Sequence, residues 1–346
     1  MSSNRVFYAV EAAGIKADGQ AGKVPTGAEI HGLQSAGVTT TFNLEQVFEK
    51  GQNEIYENIE TLPEIEVTLE KVLDDTPLIY HIASSGTTGA DLTARTTNKS
   101  IMEMVVFPDT YSSASGDPSK IMIASGLYVS SLSYTFPVEG NSTEAVTFVG
   151  NDKYWSTDTV NDGLEYTFDN TDSPGEDGTQ RRENVVMGEA ANCSLFPTEI
   201  PGISASGSNK LNAGGTAYEA HIQTVTVSTD LGREPLYELG RKNDYYRYVS
   251  FPIEVTTAIE LTATDDGDNI DAYSDQDNLT NQKIRIVTDD DTQLYLGEKN
   301  KLASVSYGGA DATGGNATVT LNYTGYNTLT ITNPSRDPNA EAHVDR

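Results

Sequence analysis

The chain has 346 residues, 37% of them hydrophobic, with 18 Tyr and 9 Phe; this supplies a core and excludes disorder along the whole length. No run of about 18 apolar residues is present, which excludes a membrane-spanning helix, and residues 1–15 read as lacking a secretory signal. Fifty-one acids against 22 Lys and Arg give a formal charge of -29, which excludes a phosphate-clamping surface, because nucleic-acid affinity rests on cations that neutralise phosphates.

In chain order, residues 1–30 carry Gly14, Gly19, Gly22, Pro25 and Gly27 and read as an N-terminal arm. The next signal predicts the one short helix, over 43–51. Asn43 is placed to cap it, Leu44, Val47 and Phe48 have i, i+3, i+4 spacing, and Gly51 is placed to close it. From residue 64 the grammar is β. Ile65, Val67 and Leu69 alternate with Glu64, Glu66, Thr68 and Glu70, a period of two that sends the first set to a core and the second to the opposite face. Strands are predicted over 101–107, 121–136 and 145–149, all rich in β-branched or aromatic residues.

Residues 156–215 break this rhythm with Gly, Asn, Asp, Ser and Thr, and read as a long insertion into the β-domain. Strands return at 221–228 and at 253–261, where Ile253, Val255, Ile259 and Leu261 oppose Glu254, Thr256 and Glu260. An acidic turn-forming loop at 265–281 precedes strands at 283–288, 318–324 and 328–332. A polar, Pro-punctuated arm at 333–346 closes the chain. The organisation is therefore one all-β domain over 31–332, flanked by two arms.

Tests for chemistry come back empty. There is no G-x-S-x-G elbow, no G-x-x-x-x-G-K-[ST] loop and no H-E-x-x-H pair. The single Cys193 excludes an intramolecular disulfide and Cys-based metal clusters, and the four histidines lie far apart. No catalytic residue, metal ligand or cofactor site is assigned, and the chain reads as a non-enzyme. Asp265, Asp266, Asp268 and Asp271 supply oxygens at short spacing, but Gly267 falls after only two acids. The loop departs from the calcium pattern and reads as a solvated acidic segment, with calcium the alternative.

Arg241, Lys242, Tyr245, Tyr246, Arg247 and Tyr248 form the one basic–aromatic concentration. Arg and Tyr are enriched at interfaces, and cations in so acidic a chain seek acidic partners, so these six are subunit-interface candidates. A plain surface and a stacking site for single-stranded nucleic acid are the other readings.

Residues 31–80, with TTTFNLEQVFEKGQNEIYENIETLPEIEVTLEKV, and 126–155, GLYVSSLSYTFPVEGNSTEAVTFVGNDKYW, carry a resemblance. So do 237–261, YELGRKNDYYRYVSFPIEVTTAIEL, and 297–332, which contains ATVTLNYTGYNTLTIT. In these segments the chain resembles the tail tube proteins of tailed bacteriophages, in a branch common among environmental phages. The resemblance implies a β-sandwich or barrel-like subunit with long loops or arms. Six copies would form a ring, and rings would stack into the conduit for genome delivery. Such proteins have no catalytic residues and no cofactor. Their partners are further copies, tape-measure, terminator and baseplate proteins, and a sheath where the tail contracts. DNA passes without specific binding, no membrane is involved, and the place of action is the virion tail, assembled in the host cytoplasm.

A wall that DNA slides along must repel it, and fixed negative charge does so. Glu64, Glu66 and Glu70, with Glu254 and Glu260, are accordingly lumen-lining candidates; facing outward to water is the other reading of the same acids. Outside the tube reading, a capsid decoration or other tail component, or a carbohydrate-binding surface adhesin, fits the same all-β pattern.

Overall fold

A computed structural model describes residues 6, 11–17, 30–74, 76, 78–84, 90–92, 98–108, 118–156, 178–185, 222–240, 244–263, 281, 284–288, 292–309 and 315–332. The first strands are β1 (Glu11–Ala17), β2 (Leu33–Thr41), β3 (Leu44–Phe48), β4 (Ile55–Glu60) and β5 (Glu64–Val72). The single α-helix among the described residues, α1 (Ile79–Ala83), follows, then β6 (Ala90–Asp91), β7 (Lys99–Val106), β8 (Lys120–Pro137), β9 (Thr143–Gly150) and β10 (Asp152–Ser156). The second half holds β11 (Ile222–Asp230), β12 (Arg233–Leu236), β13 (Tyr246–Val249), β14 (Glu254–Thr262), β15 (Arg285–Val287) and β16 (Gln293–Tyr295). It closes with β17 (Lys301–Gly308), β18 (Thr318–Tyr326) and β19 (Thr330–Thr332). The fold is all-β, as the period-two patterning predicts.

Eight strands form a continuous antiparallel path, β17-β18-β14-β11-β8-β9-β5-β2. The 18-residue β8 belongs to two parts of the sheet. Its second half pairs with β9 and β11, while its first half pairs with β7 and β10, and β7 in turn pairs with β1. Gly126 sits where the two halves meet, at φ 64°, a left-handed conformation that glycine adopts at no steric cost. A small sheet, β15-β16-β19-β6, and α1 complete the packing.

The core lies between these layers. From the eight-stranded path come Ile65, Val67, Leu69, Leu132, Phe136, Val146, Phe148, Val227, Val255, Ile259, Leu321 and Tyr323; from the covering layer come Ile15, Met102, Met122, Ile286, Leu294 and Ile331. Each is buried because the strand period delivers one face per strand to the interior.

Two sequence expectations change. The helix over 43–51 is not there: Leu44–Phe48 is β3, paired antiparallel with β4 from Leu44↔Glu60 to Phe48↔Ile55, with a register shift between Val47 and Phe48. So short a segment gains few helical hydrogen bonds against the cost of nucleation, whereas pairing with β4 satisfies its backbone at once, and Gly51, at φ 96°, serves the turn between them. The real helix is α1. It begins where the Glu144 carboxylate accepts hydrogen bonds from the Ile79 and Tyr80 backbone N–H groups, at 2.7 and 3.2 Å. Within the stretch read as an N-terminal arm, residues 11–17 form β1, with Ala13, Ile15 and Ala17 buried. The tail at 333–346, the acidic loop apart from Asn281 and most of 156–215 lie outside the described residues.

Candidate functional site

The face of the eight-stranded path turned away from the core can be followed strand by strand from the register. β2 presents Ser35, Gly37, Thr39 and Thr41 beside Glu70, Thr68, Glu66 and Glu64 of β5. The row continues through Thr143, Ala145, Thr147 and Val149 of β9 to Ser131, Ser133 and Thr135 of β8. It then crosses Thr224, Thr226 and Ser228 of β11 to Glu260, Ala258 and Thr256 of β14. It ends on Thr318, Thr320, Asn322 and Thr324 of β18 and on Lys301, Ser304 and Ser306 of β17. The surface is thus hydroxyl-rich, with carboxylates on β5 and β14, and Lys301 at the edge is the one cation among these outward-facing positions.

All five candidate glutamates therefore stand on one face, although β5 and β14 are four strand steps apart, roughly 19 Å at about 4.8 Å per step. Glu66 and Glu254 are exposed; Glu70 and Glu260 are half-buried. Glu64 is different, because its carboxylate Oε1 accepts a hydrogen bond from Arg247 Nη1 at 3.0 Å.

That contact relocates part of the basic–aromatic cluster. Arg247 is buried, and its guanidinium also donates from Nε to Asp244 at 2.8 Å and from Nη2 to the Asn151 side-chain oxygen at 2.8 Å. The acidic partners expected for it on a neighbouring subunit are supplied by its own chain, so it is an internal bracket. Tyr246 packs edge-on against Tyr128 at 5.8 Å between centroids and against Tyr248 at 4.7 Å. Tyr245 and Tyr248 are exposed, together with Tyr237, Leu239 and Phe251 nearby in sequence. Arg241 and Lys242 lie outside the described residues, as do Asp265, Asp266, Asp268 and Asp271.

The β12–β13 hairpin closes one end of the hydroxyl face. Arg233 donates to the Val129 carbonyl at 2.7 Å and lies over the Tyr128 ring at 5.1 Å; burial lowers its pKa to about 10. Beside this hairpin, Ser131, Ser133, Ser228, Asp230, Ser250 and Glu254 line part of a depression of about 570 Å³.

Sequence reasoning missed the β3–β4 hairpin. It extends the β2–β5 pair beyond the sheet, and Thr61 donates from its backbone and hydroxyl to the Asn43 carbonyl at the neck, at 3.0 and 2.8 Å. Every residue of β4 is exposed, and four of the five in β3. Phe42, Leu44, Phe48, Ile55, Tyr56 and Ile59 all face solvent, Phe48 at 66% and Tyr56 at 67%. The signal available was composition: Val47 and Phe48 on one side of the turn at Gly51, and Ile55, Tyr56 and Ile59 on the other, are β-branched or aromatic residues in two short runs.

Behind the face, on the core side, Glu144 is fully buried and accepts from the Tyr134 hydroxyl at 2.9 Å as well as from the start of α1. Burial raises its pKa above the ordinary carboxylate value against the pull of Lys71 and these donors, and burial beside Glu144 lifts the Tyr134 hydroxyl well above 10.0. Lys71 meets Asp74 at 3.0 Å and Thr76 at 2.7 Å. These groups lock α1 to the sheet.

No family model matches the chain, and no curated protein does. Among solved structures, it is similar to a chain of the anti-feeding prophage cap (AFP tube terminating cap), at 11% identity and a TM-score of 0.33, over 45% of this chain and 94% of that one. It is also similar to a chain of the anti-feeding prophage (AFP) baseplate, at 11% identity and a TM-score of 0.32, over 46% of this chain and 100% of that one. Scores this low carry no argument about fold or function.

Proposed function

We propose that this chain is a structural virion protein, a tail tube subunit. Six copies join into a ring, rings stack, and the hydroxyl–carboxylate face lines the bore through which DNA passes. The reading takes the chain to be a scaffold without catalysis.

The observation that carries it is the eight-stranded sheet, with both edges unpaired and one face nearly free of positive charge among the described residues. Phosphates find only Lys301 at the edge to hold them there, while hydroxyls keep the wall hydrated and the carboxylates on β5 and β14 repel. The sheet's terminal strands, β2 and β17, each have an edge without a partner among the described residues, and an unpaired edge is satisfied by a neighbour's strand. The β3–β4 arm supports the same reading, since a lone two-stranded hairpin is marginal in water and its apolar side chains call for a surface to dock on. A second copy supplies one, in keeping with the arms of the resembled family. Tape-measure, terminator, baseplate and sheath proteins are the further partners this reading implies.

The test is negative-stain microscopy of the purified protein from low to high salt. Hollow tubes that lengthen as salt screens the acidic subunits are expected; a monomer at every salt concentration overturns the proposal. The depression beside β12–β13, lined by hydroxyls and two carboxylates, favours carbohydrate binding as the second reading. Retention on a sugar column without tubes would select it.

A further inference from the structure

We propose that Arg247 is a positioning residue that sets the direction in which the β3–β4 arm projects. This rests on the reading that the arm docks on a second copy.

The arm leaves the sheet between residues 41 and 64, where the ladders end at Thr41↔Glu64 and Ile65↔Gly150, and side chains of the body brace its root. Lys153 of β10 reaches the Thr40 hydroxyl at the end of β2. Across the root, the Asn151 amide donates to the Pro63 carbonyl at 2.9 Å while its oxygen accepts from Arg247 Nη2, and Arg247 Nη1 holds Glu64, the first residue of β5. The third donor, Nε, is fixed by Asp244, so the guanidinium plane is set from the β13 side. The Arg247 carbonyl accepts from Arg233 Nη1 at 3.3 Å, and Arg233 is itself tied to β8 through the Val129 carbonyl. One planar fork thus joins the arm's root to a hairpin anchored on the main sheet.

Geometry makes this more than a surface ion pair. A guanidinium presents its donors at fixed angles in one plane, whereas an ammonium is a point charge that swings on a flexible stem. With the Arg247 side chain only 3% exposed, water does not compete for those donors, and the bonds are charge-assisted. An arm one strand long, roughly 17–20 Å at about 3.3 Å per residue, converts a small angular freedom at its root into a larger displacement at its tip. Copies that must fit many times over need that angle fixed before they meet, because ordering it at docking costs affinity.

The experiment measures the arm directly. In a Cys193→Ser background, spin labels are placed at Gln52→Cys on the arm and Ser306→Cys on β17, and the labelled protein is diluted with unlabelled protein. Pulsed dipolar spectroscopy then gives the distance distribution within one subunit. A narrow distribution is expected for this parent, and at least a twofold broadening for Glu64→Ala/Asn151→Ala, which frees the root while leaving Arg247 on Asp244. Arg247→Lys should broaden it too, despite keeping the charge, and Glu64→Gln, which keeps the accepting oxygen, should restore the parent width. An unchanged width in the double variant or in Arg247→Lys overturns the proposal. Circular dichroism and melting confirm that the body stays folded. Failure of the tube reading shows separately, as a parent that never assembles although the widths still differ; if both hold, the broadened variants lose at least tenfold in assembled fraction.

Discussion

Glu103 offers the most quantitative test of the packing. It lies on β7 opposite Gly14 of β1, on the side of that layer where Val105, Ile121 and Ile123 are buried, and Lys16 stands diagonally across on β1. Burial raises its pKa from 4.5 to about 7, with Lys16 pulling the other way. The unfolded chain releases this proton near 4.5, whereas the folded chain holds it to about 7. The folded state therefore binds more protons in that window, and stability falls as pH rises through it. At 1.36 kcal/mol per unit, the loss between pH 4.5 and pH 8 is roughly 3 kcal/mol. Glu103→Gln keeps the shape and cannot ionise. At pH 8 the variant should be more stable than the parent by up to roughly 3 kcal/mol, and at pH 4 the two should agree within about 0.5 kcal/mol. Urea unfolding of unassembled protein, followed by circular dichroism across that pH range, reads both. A variant less stable at pH 8 would refute the reasoning, since it would mean that attraction to Lys16 outweighs the cost of burying the charge.

Three further outcomes are expected. Phe48→Ser/Tyr56→Ser removes two exposed arm side chains, so the monomer's stability should move by less than about 0.5 kcal/mol while assembly by size-exclusion chromatography is lost. Glu66→Lys/Glu254→Lys puts cations on the strands proposed to face the bore; tubes should still form in micrographs, but genome ejection should slow, and unchanged ejection would count against the lumen assignment. Tyr134→Phe deletes the hydroxyl that donates to buried Glu144 and should cost about 1–3 kcal/mol by thermal or denaturant unfolding; a neutral result would show that the Ile79 and Tyr80 N–H groups and Lys71 suffice.

Much of the sheet was legible in the chain because its information is local. The alternation of Ile65, Val67 and Leu69 with Glu64, Glu66 and Glu70 fixes which side of β5 is buried. The same rule on β14 sets Glu254 and Glu260 opposite its buried residues, and the pairing through β9, β8 and β11 then makes that face continuous with the one on β5. What escaped depends on distant partners. The cap that starts α1 comes from Glu144, 65 residues beyond Ile79, so nothing around residue 79 announces it. Arg247 takes Asp244 from its own neighbourhood but Glu64 from 183 residues away, and a cation whose acceptor is that remote looks free in one dimension. The arm was misread for another reason. Leu44, Val47 and Phe48 satisfy a helical spacing and a strand equally in five residues, and only the pairing with β4 decides between them.

Because β8 passes from one layer to the other through Gly126 without a break in secondary structure, the two layers are joined by covalent backbone as well as by packed side chains. A pull on the strands around β7 and β10 is therefore carried by peptide bonds into the hydroxyl-bearing sheet, and the layers resist being peeled apart along that seam. In a stacked assembly, tension would run from subunit to subunit along this spine, and the glycine at its bend would be the joint that flexes under load.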